Sequence, residues 1–303
     1  MGNKVWIRGK IIDEEDAVVN IMSPSAQFGL NVFEGIRGYK NDKNDLLYVC
    51  YLEKHIDRLL ESCRLMGIVS SYSKDEIIIY FNKTILANKF DGDFAARIII
   101  FGDGMGSWSS EENFSMCISP ISRNRTSLNS LKRKSASITS WQRINDNALP
   151  PRAKVGANYI NGRYAYLQAK NDGYDLPIFL GIDGKISESC GACLFIVKNK
   201  KLITPPVTAS ILESITRELI IQISKDFNLD VIERIIDRTE VYLADEVFLC
   251  GTAAEITPII KIDRFAINNT VGKITLKLLE KYLDIVRGND DKYSNYIKAL
   301  ENN

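Results

Sequence analysis

The apolar residues Leu52, Ile56, Leu59, Leu60, Cys63 and Met66 recur at helical spacing and stop at Gly67. The run immediately before them, Leu46-Leu47-Tyr48-Val49-Cys50, has the length and composition of a strand, as does Val5-Trp6-Ile7. A strand feeding directly into an amphipathic helix makes the N-terminal third mixed α/β. A second amphipathic helix is expected over residues 75–88. Arg97-Ile98-Ile99-Ile100-Phe101 reads as a buried strand that opens into Gly102-Asp103-Gly104-Met105-Gly106, either a weak phosphate loop or a tight turn. The polar, basic stretch 122–134 has little periodicity and is expected to connect two domains. The division is therefore a small α/β domain over 1–121, a linker over 122–134 and a larger domain over 135–303.

In the second domain a helix is expected from about 157 to 170, stopped at Asn171-Asp172-Gly173. Ile178 to Ile182 is a strand, and Asp183-Gly184 is a turn of the kind that closes hairpins. Leu194-Phe195-Ile196-Val197 follows as another strand. Ile215, Leu219, Ile220, Ile223 and Phe227 form a helix face; Glu246 to Cys250 is a strand ending in Gly251-Thr252-Ala253-Ala254. A last helix runs over about 271–287 and stops at Gly288.

At 303 residues the chain has room for about two domains and a large core. Basic and acidic residues balance, 39 against 38, so no charge excess argues for nucleic acid or an anionic membrane surface. No apolar run approaches the roughly 20 residues of a membrane-spanning helix, and the N-terminus lacks the pattern of a secretory signal, so a cytoplasmic location is expected. Six scattered cysteines do not suggest a disulfide framework. With His55 the single histidine, a His-rich metal centre is excluded, and no metal site is expected. Catalysis must lean on lysine, tyrosine, cysteine or carboxylates.

Lys154 stands between the break Pro150-Pro151 and a helix start, with Ala153, Gly156 and Ala157 as small neighbours. Small residues let a flat ligand approach the backbone, and a desolvated lysine can act as an amine nucleophile. Lys154 is thus a candidate Schiff-base lysine, against the commoner fate of a surface lysine in a loop. Two places suit an anion. Ser214-Ile215-Thr216-Arg217 opens a helix after Thr204-Pro205-Pro206, where exposed N–H groups and the helix dipole favour a phosphate, although a simple N-cap is the commoner role for a residue placed like Ser214. Gly251-Thr252-Ala253-Ala254 is a second possible nest, or a plain turn between strands. Arg58 lies off its helix's apolar stripe, either free to reach a ligand or merely solvated. Glu188, if half-buried, needs a positive or donor partner, and a protonated ring nitrogen would serve; otherwise it is a solvated strand glutamate. Cys190-Gly191-Ala192-Cys193 matches C-x-x-C, but no helix follows it and no second pair completes a metal site.

Taken together, Val32-Phe33-Glu34-Gly35-Ile36-Arg37, His55-Ile56-Asp57-Arg58-Leu59, Ala153-Lys154-Val155-Gly156-Ala157-Asn158-Tyr159, Gly184-Lys185-Ile186-Ser187-Glu188, Tyr242 to Phe248 and Gly251 to Pro258 resemble, in order and over nearly the whole chain, the class IV (fold-type IV) pyridoxal-phosphate aminotransferases, most closely those for branched-chain amino acids. The resemblance implies an α/β (α+β) fold of two domains, like that of D-amino-acid aminotransferases, with the active site between them and the cofactor in the larger C-terminal one. It implies pyridoxal 5'-phosphate on Lys154, which would move the proton at the amino-acid α-carbon. Tyr159 would bond the ring's phenolic oxygen and Glu188 would face the pyridine nitrogen. Arg58, Ile215, Thr216 and Thr252 would hold the phosphate. Ala253 and Ala254 would offer amides to the substrate carboxylate, with Phe28 and Arg97 lining the substrate pocket. The family's unit is a homodimer in which Phe28 and the loop from Gly102 to Gly106 close the partner's site.

The chain departs from the family at three places. Phe28 replaces a usual tyrosine, Ala95 replaces the tyrosine of Tyr-x-Arg, and Cys193 replaces an asparagine. A lost buried donor costs about 1–3 kcal/mol. The expected activity is ping-pong transfer of an amino group between a branched-chain-like L-amino acid and a 2-oxo acid. The alternatives are a lyase or D-amino-acid transaminase of the same fold, or a non-catalytic cofactor-binding protein.

Overall fold

A computed structural model describes residues 2–300. The chain divides into two compact units. Unit 1 runs through Arg125 and takes in Ala153–Ala157 and the chain from Asp284 onward; unit 2 comprises Thr126–Arg152 and Asn158–Leu283.

Unit 1 contains β1 (Lys4–Ile7), β2 (Lys10–Asp13), β3 (Asn31–Lys40), β4 (Leu47–Cys50), β5 (Phe94–Gly102), β6 (Phe114–Ser122) and a C-terminal strand (Ile297–Ala299). They form one seven-stranded sheet, in the order C-terminal strand–β4–β3–β5–β6–β1–β2. Every pairing in it is antiparallel. Three helices accompany the sheet: α1 (Pro24–Phe28), α2 (Leu52–Leu65) and α3 (Lys74–Asn88). The predicted stripe of α2 is buried at Leu52, Ile56, Leu59 and Cys63, and the helix ends at Met66 before a left-handed Gly67. Helix α3 begins with a capping box: Ser73 accepts from the Glu76 N–H, and the Glu76 carboxylate accepts from the Ser73 N–H. The long strand β3 carries the Phe-Glu-Gly-Ile-Arg motif, which periodicity alone does not mark as a strand because both of its faces are largely buried.

Unit 2 contains β7 (Lys134–Gln142), β8 (Leu176–Leu180), β9 (Ile186–Ser189), β10 (Ala192–Lys198), β11 (Lys201–Thr204), β12 (Val231–Glu233), β13 (Glu246–Gly251), β14 (Glu255–Ile262) and β15 (Phe265–Ala266). Its helices are α4 (Asn158–Asn171), α5 (Ile215–Asp226) and α6 (Lys273–Val286), of which α6 belongs to unit 2 through Leu283. The sheet runs β12–β11–β10–β13–β14–β7–β8–β9, and β9 pairs again with β10. The strands from β10 round to β9 therefore close into a ring, which removes exposed edges. The ring is filled by Ala136, Ile138, Ile178, Ile186, Leu194, Ile196, Val247, Leu249, Ile259 and Ile262. On the other face of β10 and β13, Phe195 and Phe248 stack at 5.0 Å. The Asp183-Gly184 turn closes the β8–β9 hairpin as the sequence suggests.

The chain first leaves unit 1 inside the stretch expected to be a connection. The assignment of all of 135–303 to one domain differs from the observed division, because two later segments return to unit 1. Val155 bridges to Val32, and Ile297–Ala299 pairs with β4. Arg287 forms a buried ion pair with Asp93 at 2.9 Å. Such long-range edge pairings leave no periodic trace in the sequence.

Candidate active site

Strand β4 pairs only with the Gly38–Lys40 end of β3, so the Asn31–Phe33 end keeps an open edge on that side. The lysine segment takes that place: the Phe33 N–H donates to the Lys154 carbonyl at 2.9 Å, and the Gly156 N–H donates to the Asn31 carbonyl at 3.2 Å. The approach is close enough that a Cβ on Gly156 would stand 2.5 Å from Asn31 Oδ1, so a side chain here would have to displace the Asn31 amide. From the other side, the Lys154 N–H donates to Ser62 Oγ at 3.0 Å, and Ser62 Oγ donates to the Arg58 carbonyl one helical turn earlier at 2.8 Å. The backbone of Lys154 is thus fixed to both β3 and α2. Its Nζ lies 5.1 Å from the centre of the Phe33 ring, and the Arg97 guanidinium lies 4.6 Å from the same ring.

Helix α2 places His55, Arg58 and Ser62 on the side facing β3, where Glu34 is fully buried. Arg58 Nε donates to Glu34 Oε1 at 2.6 Å, Arg58 Nη2 donates to Oε2 at 2.8 Å, and His55 Nδ1 lies 2.7 Å from Oε2. Arg58 is therefore not a swinging arginine, as its position off the apolar stripe allowed; its guanidinium is gripped bidentately. Burial by itself would raise the Glu34 carboxyl, but Arg58 and His55 override it and hold the group at about 2. Burial also pushes His55 below the usual imidazole range, against the pull of Glu34. Both shifts have the same consequence for stability. His55 begins to shed its contribution as pH falls below its ordinary value of 6.5. The Glu34 contribution is complete above 4.5 and is lost as pH falls through about 2. Urea denaturation from pH 4.5 downward should show the stability gap between wild type and Glu34→Gln shrinking as the pH falls toward 2. A gap independent of pH would contradict the ion pair.

In unit 2, Glu188 on β9 is also buried. Its partner is Arg143, just beyond β7, with Nε donating to Glu188 Oε1 at 2.9 Å and Nη1 donating to Asn158 Oδ1 at 2.7 Å. The Leu212 N–H donates to the same carboxylate oxygen at 3.4 Å. Glu188 therefore has the cationic partner that its burial demands. The sequence did not identify Arg143, since the two residues are 45 positions apart and no spacing rule joins them.

The start of α5 satisfies one reading of Ser214 outright: its Oγ accepts the Arg217 N–H at 3.2 Å, a normal N-cap. Among the described residues no acceptor is bonded by the N–H of Ile215 or of Thr216, and both residues are buried. These two donors remain for an anion. The segment from Gly251 to Ala254 is the turn between β13 and β14, held by Thr257 Oγ1 donating to the Ala254 carbonyl at 2.7 Å. A Cβ on Gly251 would stand 2.9 Å from the Gly191 carbonyl oxygen, so this wall has room only for glycine. Thr252 is half-buried and Ala253 exposed. Tyr159, in the first turn of α4, is exposed, as is Phe28 at the end of α1. Arg97 is exposed although its strand is largely buried. Cys190 lies in the β9–β10 turn and Cys193 in β10, and burial pushes the Cys190 thiol up to about 12, which leaves little reactive thiolate.

A family model described as amino-transferase class IV matches residues 31–262, which include Glu34, Arg58, Lys154, Glu188 and Thr252. The chain belongs to the class IV aminotransferases. It is 36% identical to a probable branched-chain-amino-acid aminotransferase of Aquifex aeolicus over 298 residues, 97% of this chain and 96% of that protein. The crystal structure of a branched-chain aminotransferase from Thermoproteus uzoniensis with norvaline has a TM-score of 0.94 and 37% identity, covering 99% of this chain and 100% of that one. The branched-chain amino acid aminotransferase of Thermobaculum terrenum in its PLP form has a TM-score of 0.93 and 38% identity, covering 99% of each chain. The mixed α/β architecture of this class IV aminotransferase is that of the fold-type IV enzymes, as the resemblance implied. Among the described residues no helix is long and apolar enough to cross a membrane.

Proposed function

We propose that this aminotransferase uses pyridoxal phosphate to exchange amino groups between branched-chain L-amino acids and 2-oxo acids, with ping-pong kinetics and glutamate as an amino partner. The names of its relatives support the substrate class. Within the chain, the observation that carries the reading is Lys154, an amine on a backbone anchored at both its N–H and its carbonyl.

The donor set suits the cofactor. A lysine can hold its aldehyde. The unbonded N–H groups of Ile215 and Thr216, together with Arg58 and Thr252, suit its phosphate. Glu188 suits its ring nitrogen and the Tyr159 hydroxyl its phenolic oxygen. When bound, pyridoxal phosphate supplies an electron sink for the α-carbon. Lys154 Nζ takes the α-proton of the amino acid and returns it in the reverse sense. Arg143 keeps the Glu188 carboxylate oriented. The amides of Ala253 and Ala254 take the substrate carboxylate, and Arg97 takes a second carboxylate when glutamate is the substrate. We place the enzyme in the cytoplasm as a homodimer, with Phe28 and the loop from Gly102 to Gly106 closing the partner's site and most cofactor contacts coming from the C-terminal domain.

The three departures shape specificity. Phe28, Ala95 and Cys193 stand where hydroxyl or amide donors are usual, so substrate affinity is expected to fall by about 1–3 kcal/mol for each donor that the substrate would have used. A panel of L- and D-amino donors with 2-oxo acid acceptors, read by product formation, tests the proposal. Transfer from glutamate to branched-chain 2-oxo acids is expected. Pyruvate release without amino transfer, or activity confined to D-amino acids, would replace this reading by a lyase or a D-transaminase.

A further inference from the structure

Glu34 is costly where it sits. A carboxylate with no exposed surface loses its hydration, and an apolar side chain of similar volume often serves stability as well as a buried ion pair does. Its bonds therefore point to another reason for its presence. Both oxygens are engaged: Oε1 by Arg58 Nε, and Oε2 by Arg58 Nη2 and by His55. A two-point grip on a planar guanidinium sets the plane of the group and the direction of its remaining edge, which one hydrogen bond or a point charge cannot do. His55, buried and one helical turn before Arg58, braces the carboxylate from the other side. Ser62 joins the backbone of the same arginine to the backbone of Lys154. The anchoring of Arg58 and the anchoring of Lys154 are thus parts of one hydrogen-bonded assembly on α2 and β3.

We propose that Glu34, braced by His55, is a positioning residue that holds the Arg58 guanidinium in the orientation that takes the phosphate of the cofactor. The inference rests on the reading of Arg58 as a phosphate ligand given above. Glu34 acts only through Arg58. Without it, the long arginine side chain must give up rotamer freedom each time a phosphate binds, which weakens binding of the phosphate and of nothing else.

That selectivity separates positioning from a plain structural role. Enzyme stripped of its cofactor is titrated with pyridoxal phosphate and, separately, with pyridoxal, which has the same ring and aldehyde but no phosphate; binding is followed by absorbance and protein fluorescence. In Glu34→Gln the affinity for pyridoxal phosphate is expected to fall roughly 10- to 100-fold, while that for pyridoxal changes less than about 2-fold. His55→Gln should shift the same ratio in the same direction by a smaller factor, and it decides the matter if Glu34→Gln does not fold. Arg58→Ala serves as the reference, because it removes the phosphate ligand itself. If Arg58→Ala collapses the ratio while Glu34→Gln and His55→Gln leave it at the wild-type value, or lower both affinities alike, the positioning role is wrong and the reading of Arg58 stands. If Arg58→Ala leaves the ratio intact, the reading of Arg58 has failed and the inference falls with it.

Discussion

Replacing Lys154 by alanine is expected to lower amino transfer by about 10⁴-fold or more while leaving the fold in place. The two halves of this expectation have separate grounds. Catalysis needs the amine, and no other lysine occupies this anchored segment. Stability does not need it, because the segment is held through its backbone: the Lys154 carbonyl accepts from Phe33, its N–H donates to Ser62, and Val155 bridges to Val32. The contact of Nζ with the Phe33 ring is worth about 0.5–1 kcal/mol, small beside these backbone anchors. Thermal unfolding of Lys154→Ala should therefore stay close to wild type. In the wild-type enzyme, borohydride reduction with bound cofactor should place the tag on Lys154 when peptides are mapped. Substantial turnover by the alanine variant, or a tag on another lysine, would refute the assignment.

The second large effect is expected at Arg143, which was not among the residues picked out from the sequence. Arg143→Met leaves the Glu188 carboxylate buried without its guanidinium and takes a donor from Asn158. Stranding one partner of a buried pair typically costs about 3–5 kcal/mol. The double variant Arg143→Met with Glu188→Gln removes the stranded charge and should recover much of that loss. Urea denaturation of the two single variants and the double variant measures the coupling. A single Arg143 variant as stable as wild type, or a double variant with strictly additive losses, would show that the pair does not hold this part of unit 2 together.

Helix α2 and the Ser214 cap show what local sequence conveys. The stripe Leu52, Ile56, Leu59 and Cys63 is buried as its spacing requires, and Ser214 caps α5 as its position before the helix suggests. Arg58 shows where such reasoning ends. Position off the stripe left it free or solvated, whereas Glu34, 24 residues earlier on β3, grips it. Periodicity assigns a face to each residue but does not say what the facing element carries. The motif Phe-Glu-Gly-Ile-Arg was legible as a family mark, yet the buried strand that contains it was not read as a strand, since burial on both faces erases alternation. In the same way, nothing in residues 297–299 announces that they complete a sheet begun at the other end of the chain.

The sequence by itself determined the family, the lysine and the alternation of strands and amphipathic helices, because motif identity and side-chain period are local properties written in consecutive residues. Only the tertiary structure decided which carboxylate meets which guanidinium: Glu34 with Arg58, and Glu188 with Arg143. Those pairs are selected by burial, which makes an unpartnered charge too costly to keep, and burial is a property of packed elements rather than of neighbouring positions in the chain.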